Sequence, residues 1–105
     1  MVEISSEIVE NIKKYINLLE VHGFPIKQAY LFGSYASGKQ DEWSDIDIAI
    51  ISDKFEGNRY LDKEKILGLY RQIDLRLSPL PLNPSSLEES PFVFSEIVKK
   101  GIKLL

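Results

Sequence analysis

The chain has 105 residues, a formal net charge of −3 and 44% hydrophobic residues, and it contains no cysteine. This length predicts a single domain over residues 1–105, and the lack of cysteine excludes disulfides, Cys-ligated zinc and a thiol nucleophile. The acidic balance gives stable nucleic-acid binding no electrostatic support. We expect neither a membrane span nor a signal peptide, and the composition suits a reducing cytoplasm.

The N-terminal third is predicted to form a helix and then a strand. Ser5 or Ser6 can cap the helix, and its apolar residues recur at helical spacing until Gly23 and Pro25 end it. Residues 26–32 have the apolar, β-branched and aromatic composition of a buried strand.

A glycine–serine pair follows this strand. Gly33 can let the backbone approach a ligand closely, and Ser34 is a good N-cap residue. A short helix over residues 34–37 would direct its free amide groups and the positive end of its dipole at an anion such as a phosphate. By itself, the pair also fits an ordinary turn between a strand and a helix.

Two aspartates alternate with apolar residues in a strand predicted over residues 45–52. Residues i and i+2 of a strand share a face, so Asp45 and Asp47 point the same way while Ile46 and Ile48 face the core. Two carboxylates about 4 Å apart repel by roughly 4 kcal/mol at an effective dielectric near 20. Either one is protonated or the pair binds a cation, and oxygen ligands favour Mg²⁺ or Mn²⁺. A solvated strand end is the plainer alternative.

The second half of the chain is predicted to add two helices and two strands. Residues 60–72 have helical spacing, and residues 73–77 alternate as a strand. Three prolines argue against a regular element over residues 78–86. A helix over residues 91–100 and a short edge strand over residues 102–105 complete the pattern.

These elements predict an α/β (α+β) fold, a small mixed sheet with helices packed on it. The link between the first two strands is too short for a parallel crossover, so that pair is predicted to be antiparallel, whereas strands two and three are predicted to be parallel neighbours. Asp74, on the third strand, would then lie about 4.8 Å sideways from Asp45 or Asp47. Three such acids could hold two cations, as in nucleotidyl transfer.

Four sequence features occur together between about Tyr30 and Leu77: Gly33-Ser34, Ala36-Ser37-Gly38, Ser44-Asp45-x-Asp47 and Asp74. Together they resemble the DNA polymerase beta-type nucleotidyltransferase superfamily, and more closely its minimal nucleotidyltransferase (MNT) branch. Many MNT proteins have a basic residue at the position of Ser37, so the chain departs from the pattern there.

The resemblance implies the polymerase beta-type fold and a nucleotidyltransferase that uses ATP with Mg²⁺, for which Mn²⁺ could substitute. Asp45 and Asp47 would hold the ion that carries the triphosphate, and Asp47 and Asp74 would hold a second ion. Asp74 would also activate the attacking hydroxyl, and Gly33 and Ser34 would bind the β- and γ-phosphates.

Stand-alone MNT proteins resemble antitoxins that pair with HEPN-domain toxins. The resemblance therefore implies a HEPN partner and transfer of AMP to one of its hydroxyl groups, typically a tyrosine. Two alternatives stay open: a binding module that masks its partner by contact alone, and a transferase that acts on a small molecule or an RNA end. Lys39 and Arg76 are candidate phosphate-neutralising residues, although surface charge explains them as well.

Overall fold

A computed structural model describes residues 4–66 and 68–105 of the chain. Its helices and strands, in chain order, are α1 (Ser6–Val21), β1 (Gln28–Phe32), α2 (Ser34–Ser37), β2 (Ile46–Ile51), α3 (Arg59–Lys65), β3 (Leu77–Leu82), α4 (Ser86–Glu89), α5 (Val93–Lys99) and β4 (Ile102–Lys103). A 3₁₀ turn, Tyr70–Gln72, precedes β3, and α5 is wound as a π-helix. No helix in the described part of the chain is long and apolar enough to cross a membrane.

The strands form one mixed sheet in the order β3-β2-β1-β4. β1 pairs antiparallel with both β2 and β4, and β2 pairs parallel with β3. These pairings confirm the predicted fold class, the antiparallel first pair, the parallel second pair and the short terminal edge strand. β1 begins two residues later than predicted and β2 is one residue shorter at each end, which is within the usual uncertainty of element ends.

The sheet separates the core into two layers. One face, which includes Leu31 and Ile48, packs against α1 and its buried residue Tyr15. The opposite face packs against α5 and includes Tyr30 and Ala49. We refer to them as the α1 face and the α5 face. Because successive side chains of a strand point to opposite faces, this division fixes the side to which each β2 residue belongs.

α1 is positioned by its cap and its buried stripe. The Ser5 hydroxyl accepts a hydrogen bond from the Ile8 amide at 3.3 Å, which starts the helix. The buried residues of the helix are Ile8, Ile12, Tyr15 and Leu19. Burying each large apolar side chain contributes about 1.5–3 kcal/mol, so this stripe holds α1 firmly on the sheet.

The connection between α3 and β3 differs from the prediction. The helix predicted over residues 60–72 ends at Lys65, and Gly68 adopts φ +86°, a left-handed conformation that an α-helix cannot include. The strand predicted over residues 73–77 is also wrong, because β3 begins at Leu77. Asp74 therefore lies in the segment before the strand rather than on it.

Prolines lie inside β3, so the prediction of no regular element over residues 78–86 is wrong for this strand. β3 is an edge strand, and the amide of Ile46 on β2 donates to the carbonyl of Arg76 at 2.8 Å. Even-numbered residues of this segment therefore direct their backbone groups toward β2. Pro79 and Pro81 occupy the alternate positions, where a missing N–H faces outward and costs no ladder hydrogen bond.

Candidate active site

The turn between β1 and α2 is built on Gly33. This residue has φ +73° and ψ −149°, a backbone conformation that residues with a side chain rarely adopt. Its carbonyl accepts hydrogen bonds from the amides of Ala36 and Ser37, each at 3.1 Å, and these bonds close the first turn of α2. The predicted short helix is confirmed, with Gly33 rather than Ser34 at the N-cap position.

Asp47 lies directly against this turn. It pairs across the sheet with Phe32, the residue that precedes Gly33. A Cβ atom on Gly33 would collide with Oδ2 of Asp47 and would lie 3.2 Å from its Cγ. The missing side chain at Gly33 therefore provides the space that the carboxylate occupies.

Asp45 is close enough to influence the ionisation of Asp47. Burial, the larger cause, and the negative charge of Asp45 together raise the pKa of Asp47. A cation between the two carboxylates would relieve this repulsion, and both donors are oxygens, as Mg²⁺ and Mn²⁺ prefer. The pair therefore fits a divalent cation, with Asp47 half-buried and Asp45 exposed.

A cavity lies beside the Gly33 turn, near the α5 face to which Asp47 belongs. Asp47 shares that face with Ala49, since the two residues are two positions apart on β2. The cavity has a volume of about 260 Å³ and lies between the Gly33 turn and the end of α5. Its lining residues are Gly33, Ala36, Ser37, Glu96 and Lys100.

Asp74 is held by a different set of contacts. Its carboxylate accepts hydrogen bonds from the Arg76 guanidinium at 2.7 and 3.0 Å, from the Arg76 amide at 2.9 Å, and from Nδ2 of Asn11 at 3.0 Å. Arg76 also lies 3.7 Å from Glu7. Because Asn11 and Glu7 belong to α1, Asp74 is tied to the helix on the face opposite α5.

These contacts supply Asp74 with a positive charge from the chain itself. The hydrogen bond from the Arg76 side chain is the main cause that lowers the pKa of Asp74 to about 2, although burial opposes it. The same pairing raises the pKa of Arg76. Arg76 is therefore committed to Asp74, which weakens its candidacy as a phosphate ligand.

The structure brings Asp47 to Gly33, with Asp45 close enough to affect Asp47, and it does not bring Asp74 into a shared metal site with them. The β3 residue paired with Asp47 is Ser78. Within residues 4–66 and 68–105, no three His, Cys, Asp or Glu side chains are close enough to hold a metal ion together. The expected sideways placement of Asp74 is wrong because β3 starts three residues after it. Its role as metal ligand and base stays a prediction.

Three residues near these carboxylates were not singled out from the sequence: Asn11, Glu96 and Lys100. Asn11 contacts Asp74 across 63 positions, a separation with no local signature. Glu96 and Lys100 reach the Gly33 turn because β4 returns to pair with β1. Their i,i+4 spacing is a local signal, but it is typical of any exposed helical ion pair.

Comparison with known proteins establishes the family. The family model described as "Polymerase beta, Nucleotidyltransferase" matches residues 10–105. The chain belongs to the polymerase beta nucleotidyltransferase family. It is accordingly a nucleotidyltransferase, and the MNT branch fits its size and motifs.

One relative of this nucleotidyltransferase comes from Methanocaldococcus jannaschii and is named as a candidate protein adenylyltransferase, MJ1379. It is 40% identical, and the match covers 80% of this chain and 91% of the relative. A nucleotidyltransferase structure from Sulfolobus solfataricus superposes with a TM-score of 0.57 at 22% identity, covering 98% of this chain and 89% of that one. The latter likeness shows the shared fold.

Two toxin–antitoxin crystal structures also resemble this nucleotidyltransferase. One contains AMP-PNP and superposes with a TM-score of 0.61 at 28% identity, covering 92% of this chain and 72% of that one. The other is an MntA–HpeT complex that carries a double Asp→Glu substitution, with a TM-score of 0.54 at 26% identity. It covers 89% of this chain and 71% of its own.

Proposed function

We propose that this nucleotidyltransferase moves AMP from ATP to a tyrosine hydroxyl of a HEPN-domain toxin and thereby silences the toxin. Two findings support the substrate and partner classes. A relative that is 40% identical over 91% of its length is named as a candidate protein adenylyltransferase. Two solved relatives are toxin–antitoxin assemblies, one of them with the ATP analogue AMP-PNP. Such a toxin and ATP would meet the protein in the cytoplasm.

The observation that carries the proposal is the contact between the Asp47 carboxylate and Gly33, with Asp45 beside it. A triphosphate bound at this turn would lie next to two carboxylates, so its charge has to be neutralised by a cation that the carboxylates hold. Asp45 and Asp47 would hold Mg²⁺, which neutralises the phosphates and favours departure of pyrophosphate. The raised pKa of Asp47 fits this role, because the ionised pair is costly until a cation is bound.

The Gly33 turn would orient the nucleotide. The amides of Ser34 and Tyr35 belong to the first turn of α2, before the helix's own hydrogen bonds begin. These groups and the Ser34 hydroxyl can donate to the β- and γ-phosphates. Because Gly33 has no side chain, the Asp47 carboxylate can lie directly against the turn at which the phosphates would bind.

Asp74 would take the proton of the attacking hydroxyl and bind the second ion only after it leaves Arg76. A carboxylate whose pKa is held at about 2 is a weak base near neutral pH. Loss of the two guanidinium hydrogen bonds would raise that pKa and free the carboxylate. We therefore place rearrangement of the Asp74–Arg76 pair between binding of the acceptor and transfer of AMP.

The proposal can be tested on the protein purified together with its HEPN partner. Incubation with ATP and Mg²⁺ should add the mass of one or more AMP groups to the partner, located on tyrosine by peptide mass spectrometry. The double variant Asp45→Asn, Asp47→Asn should abolish the addition. Asp53→Asn, which removes an exposed carboxylate elsewhere, is the matched control and should retain it. An unchanged partner mass with the folded wild-type protein would contradict the proposal.

A contact-only antitoxin is the second candidate. It is favoured by the commitment of Asp74 to Arg76 and Asn11, which leaves two carboxylates rather than three beside Gly33. In this case, the double Asn variant would still silence the toxin in cells. A transferase that acts on a small molecule or an RNA end would instead leave the partner unmodified and label that acceptor. The net charge of −3 argues against the RNA end.

A further inference from the structure

The cavity on the α5 face has two walls of different character. One wall is the Gly33 turn with Ala36 and Ser37, which carry no charge. The other wall is formed by Glu96 and Lys100 at the end of α5. Gly33 lines the cavity and also lies against the Asp47 carboxylate, so the cavity and this carboxylate share the Gly33 turn. Its volume of about 260 Å³ suits part of a nucleotide rather than a whole one.

The position of Lys100 is fixed by the backbone around it. The amide of Gly101 donates to the carbonyl of Ile97 at 2.9 Å, and a Cβ on Gly101 would lie 2.9 Å from the carbonyl oxygen of Leu31. The next residue, Ile102, pairs with Leu31 on β1. Lys100 is therefore anchored beside the end of the strand that leads into Gly33, although the two segments are far apart in the sequence.

Lys100 brings a positive charge to a cavity in which Glu96 is the other charged lining residue. The Asp47 carboxylate, which lies against Gly33, is a second negative group at the same turn. Nζ of Lys100 lies 3.2 Å from Oε1 of Glu96, and the two side chains are 68% and 45% exposed. An exposed i,i+4 pair of this kind contributes only about 0.3–0.5 kcal/mol, so a polyphosphate can displace Glu96 from Lys100.

We propose that Lys100 is a substrate-binding residue, which pairs with the β- and γ-phosphates of the nucleotide in the cavity between the Gly33 turn and α5. This assignment rests on the proposed use of ATP and names a residue that the family motif does not contain. The α2 side of the cavity, lined by Gly33, Ala36 and Ser37, has no positive charge. Lys100 supplies that charge from the opposite wall.

Lys100 would distinguish the β- and γ-phosphates of ATP from the AMP part of the nucleotide. Lys100 would bind the phosphates that leave as pyrophosphate, so it would contribute to affinity for ATP and little to affinity for AMP. Glu96 would lower ATP affinity, since it competes for Lys100 and repels the phosphates. Both effects would weaken as ionic strength rises, because the groups are exposed.

Isothermal titration of AMP-PNP and of AMP, each with Mg²⁺ and with no toxin present, tests the assignment. Lys100→Gln should weaken AMP-PNP binding about tenfold and AMP binding less than about twofold. Lys99→Gln, which removes the neighbouring lysine outside the cavity, is the matched control and should bind both as the wild type does. Lys100→Arg should restore most of the affinity, and Glu96→Gln should tighten AMP-PNP binding about two- to threefold.

The outcomes also distinguish this inference from the proposed function. If the wild type binds AMP-PNP and Lys100→Gln binds it equally well, the assignment of Lys100 is overturned while AMP transfer can still be correct. Equal weakening of AMP and AMP-PNP would also overturn it. If the wild type binds AMP-PNP and Lys100→Gln behaves as expected, but no AMP reaches the partner, the proposed function fails alone. A wild type that binds no AMP-PNP contradicts both.

Discussion

Two aspartates in this molecule have opposite electrostatic surroundings. Asp47 lies beside Asp45 at the Gly33 turn, and its pKa is raised. Asp74 is bound by Arg76 and Asn11, and its pKa is lowered to about 2. The first carboxylate has a negative neighbour and room for a cation, whereas the second already has a cation from the chain.

This difference shows what each carboxylate contributes before any ligand arrives. The raised pKa of Asp47 means that its ionised form is disfavoured beside Asp45, a cost that a bound cation would relieve, and such perturbed groups are typical of functional sites. The Asp74–Arg76 pair stabilises the attachment of the β3 entry to α1. The first region is thus ready to bind a cation, whereas Asp74 is held in the structure until Arg76 releases it, and four predictions test that difference.

The largest expected effect is on activity after Asp47→Asn. Under the proposed function, this substitution removes a charged oxygen ligand and should lower the rate of AMP transfer at least about hundredfold, or raise the barrier by roughly 2.7 kcal/mol. Stability should stay equal or rise slightly, since a repulsive charge is removed. Transfer rates and thermal melting of the same preparations check this. A variant that melts well below the wild type would show that Asp47 is structural instead.

The next effect is on stability after Gly33→Ala. The substitution places a Cβ against the Asp47 carboxylate and also strains a backbone with φ +73°. Gly23→Ala is a matched control, because Gly23 has φ +90° and no heavy atom within 4 Å of the added Cβ. Gly23→Ala should lower the free energy of unfolding by about 1–2 kcal/mol through strain. Gly33→Ala should lower it by at least about 1 kcal/mol more, because its ψ of −149° is rarely adopted by other residues and its Cβ meets Asp47.

Urea unfolding of the two glycine variants measures this difference. A third variant combines Gly33→Ala with Asp47→Ala, which removes the carboxylate that the new Cβ would contact. The double variant should recover part of the additional loss. Equal destabilisation of the Gly23 and Gly33 variants would contradict the close contact at the turn.

A smaller loss of stability is expected from Arg76→Met. It leaves a carboxylate that is 9% exposed without its main partner, at a cost of about 1–3 kcal/mol. Asp74→Asn should cost less, because it leaves the exposed member of the pair in water. A double-mutant cycle by urea unfolding should give a coupling energy above about 0.5 kcal/mol. Additive single effects would mean that the pair adds no stability.

The smallest effect is a pH dependence of opposite sign in the two regions. The unfolded pKa of Asp74 is about 3.9, so its contribution is complete above roughly pH 4 and is lost as the pH falls toward about 2. Compared with Asp74→Asn, the wild type should lose about 1–2 kcal/mol over that range, since exposed Arg76 is partly screened. For Asp47, the contribution is present at low pH and is lost as the pH rises through its raised pKa.

Stability curves of Asp74→Asn and Asp47→Asn against pH, each compared with the wild type, measure both slopes. The two difference curves should have opposite signs. Difference curves with the same sign would contradict the proposed electrostatic difference between Asp47 and Asp74.

The elements around Gly33 could be predicted from the sequence because their signals are local. A glycine followed by serine, and two aspartates alternating with isoleucines, define a turn and a strand without reference to distant residues. The antiparallel pairing of β1 and β2 follows from the short link between them. The Asp45/Asp47 pair could therefore be predicted together with its neighbour Gly33.

The position of Asp74 could not be predicted in the same way. The alternating residues 73–77 satisfy a strand pattern, yet Asp74 finds stronger partners in Arg76 and Asn11, and Asn11 belongs to a helix 63 positions away. The prolines that follow argue against a central strand but not against an edge strand, and the sequence alone does not reveal which position this strand takes. At the edge of a sheet, Pro79 and Pro81 cost nothing, and the order β3-β2-β1-β4 is a property of the whole fold.

The two prolines of β3 also limit how this molecule can associate with others. An uncovered outer strand normally offers a row of donors and acceptors to any extended peptide, and it can seed edge-to-edge aggregation. Here the outward positions at Pro79 and Pro81 have no N–H to donate. We therefore expect the proposed protein substrate to dock through side-chain surfaces rather than by adding a strand to β3, and the same prolines oppose edge-to-edge association there.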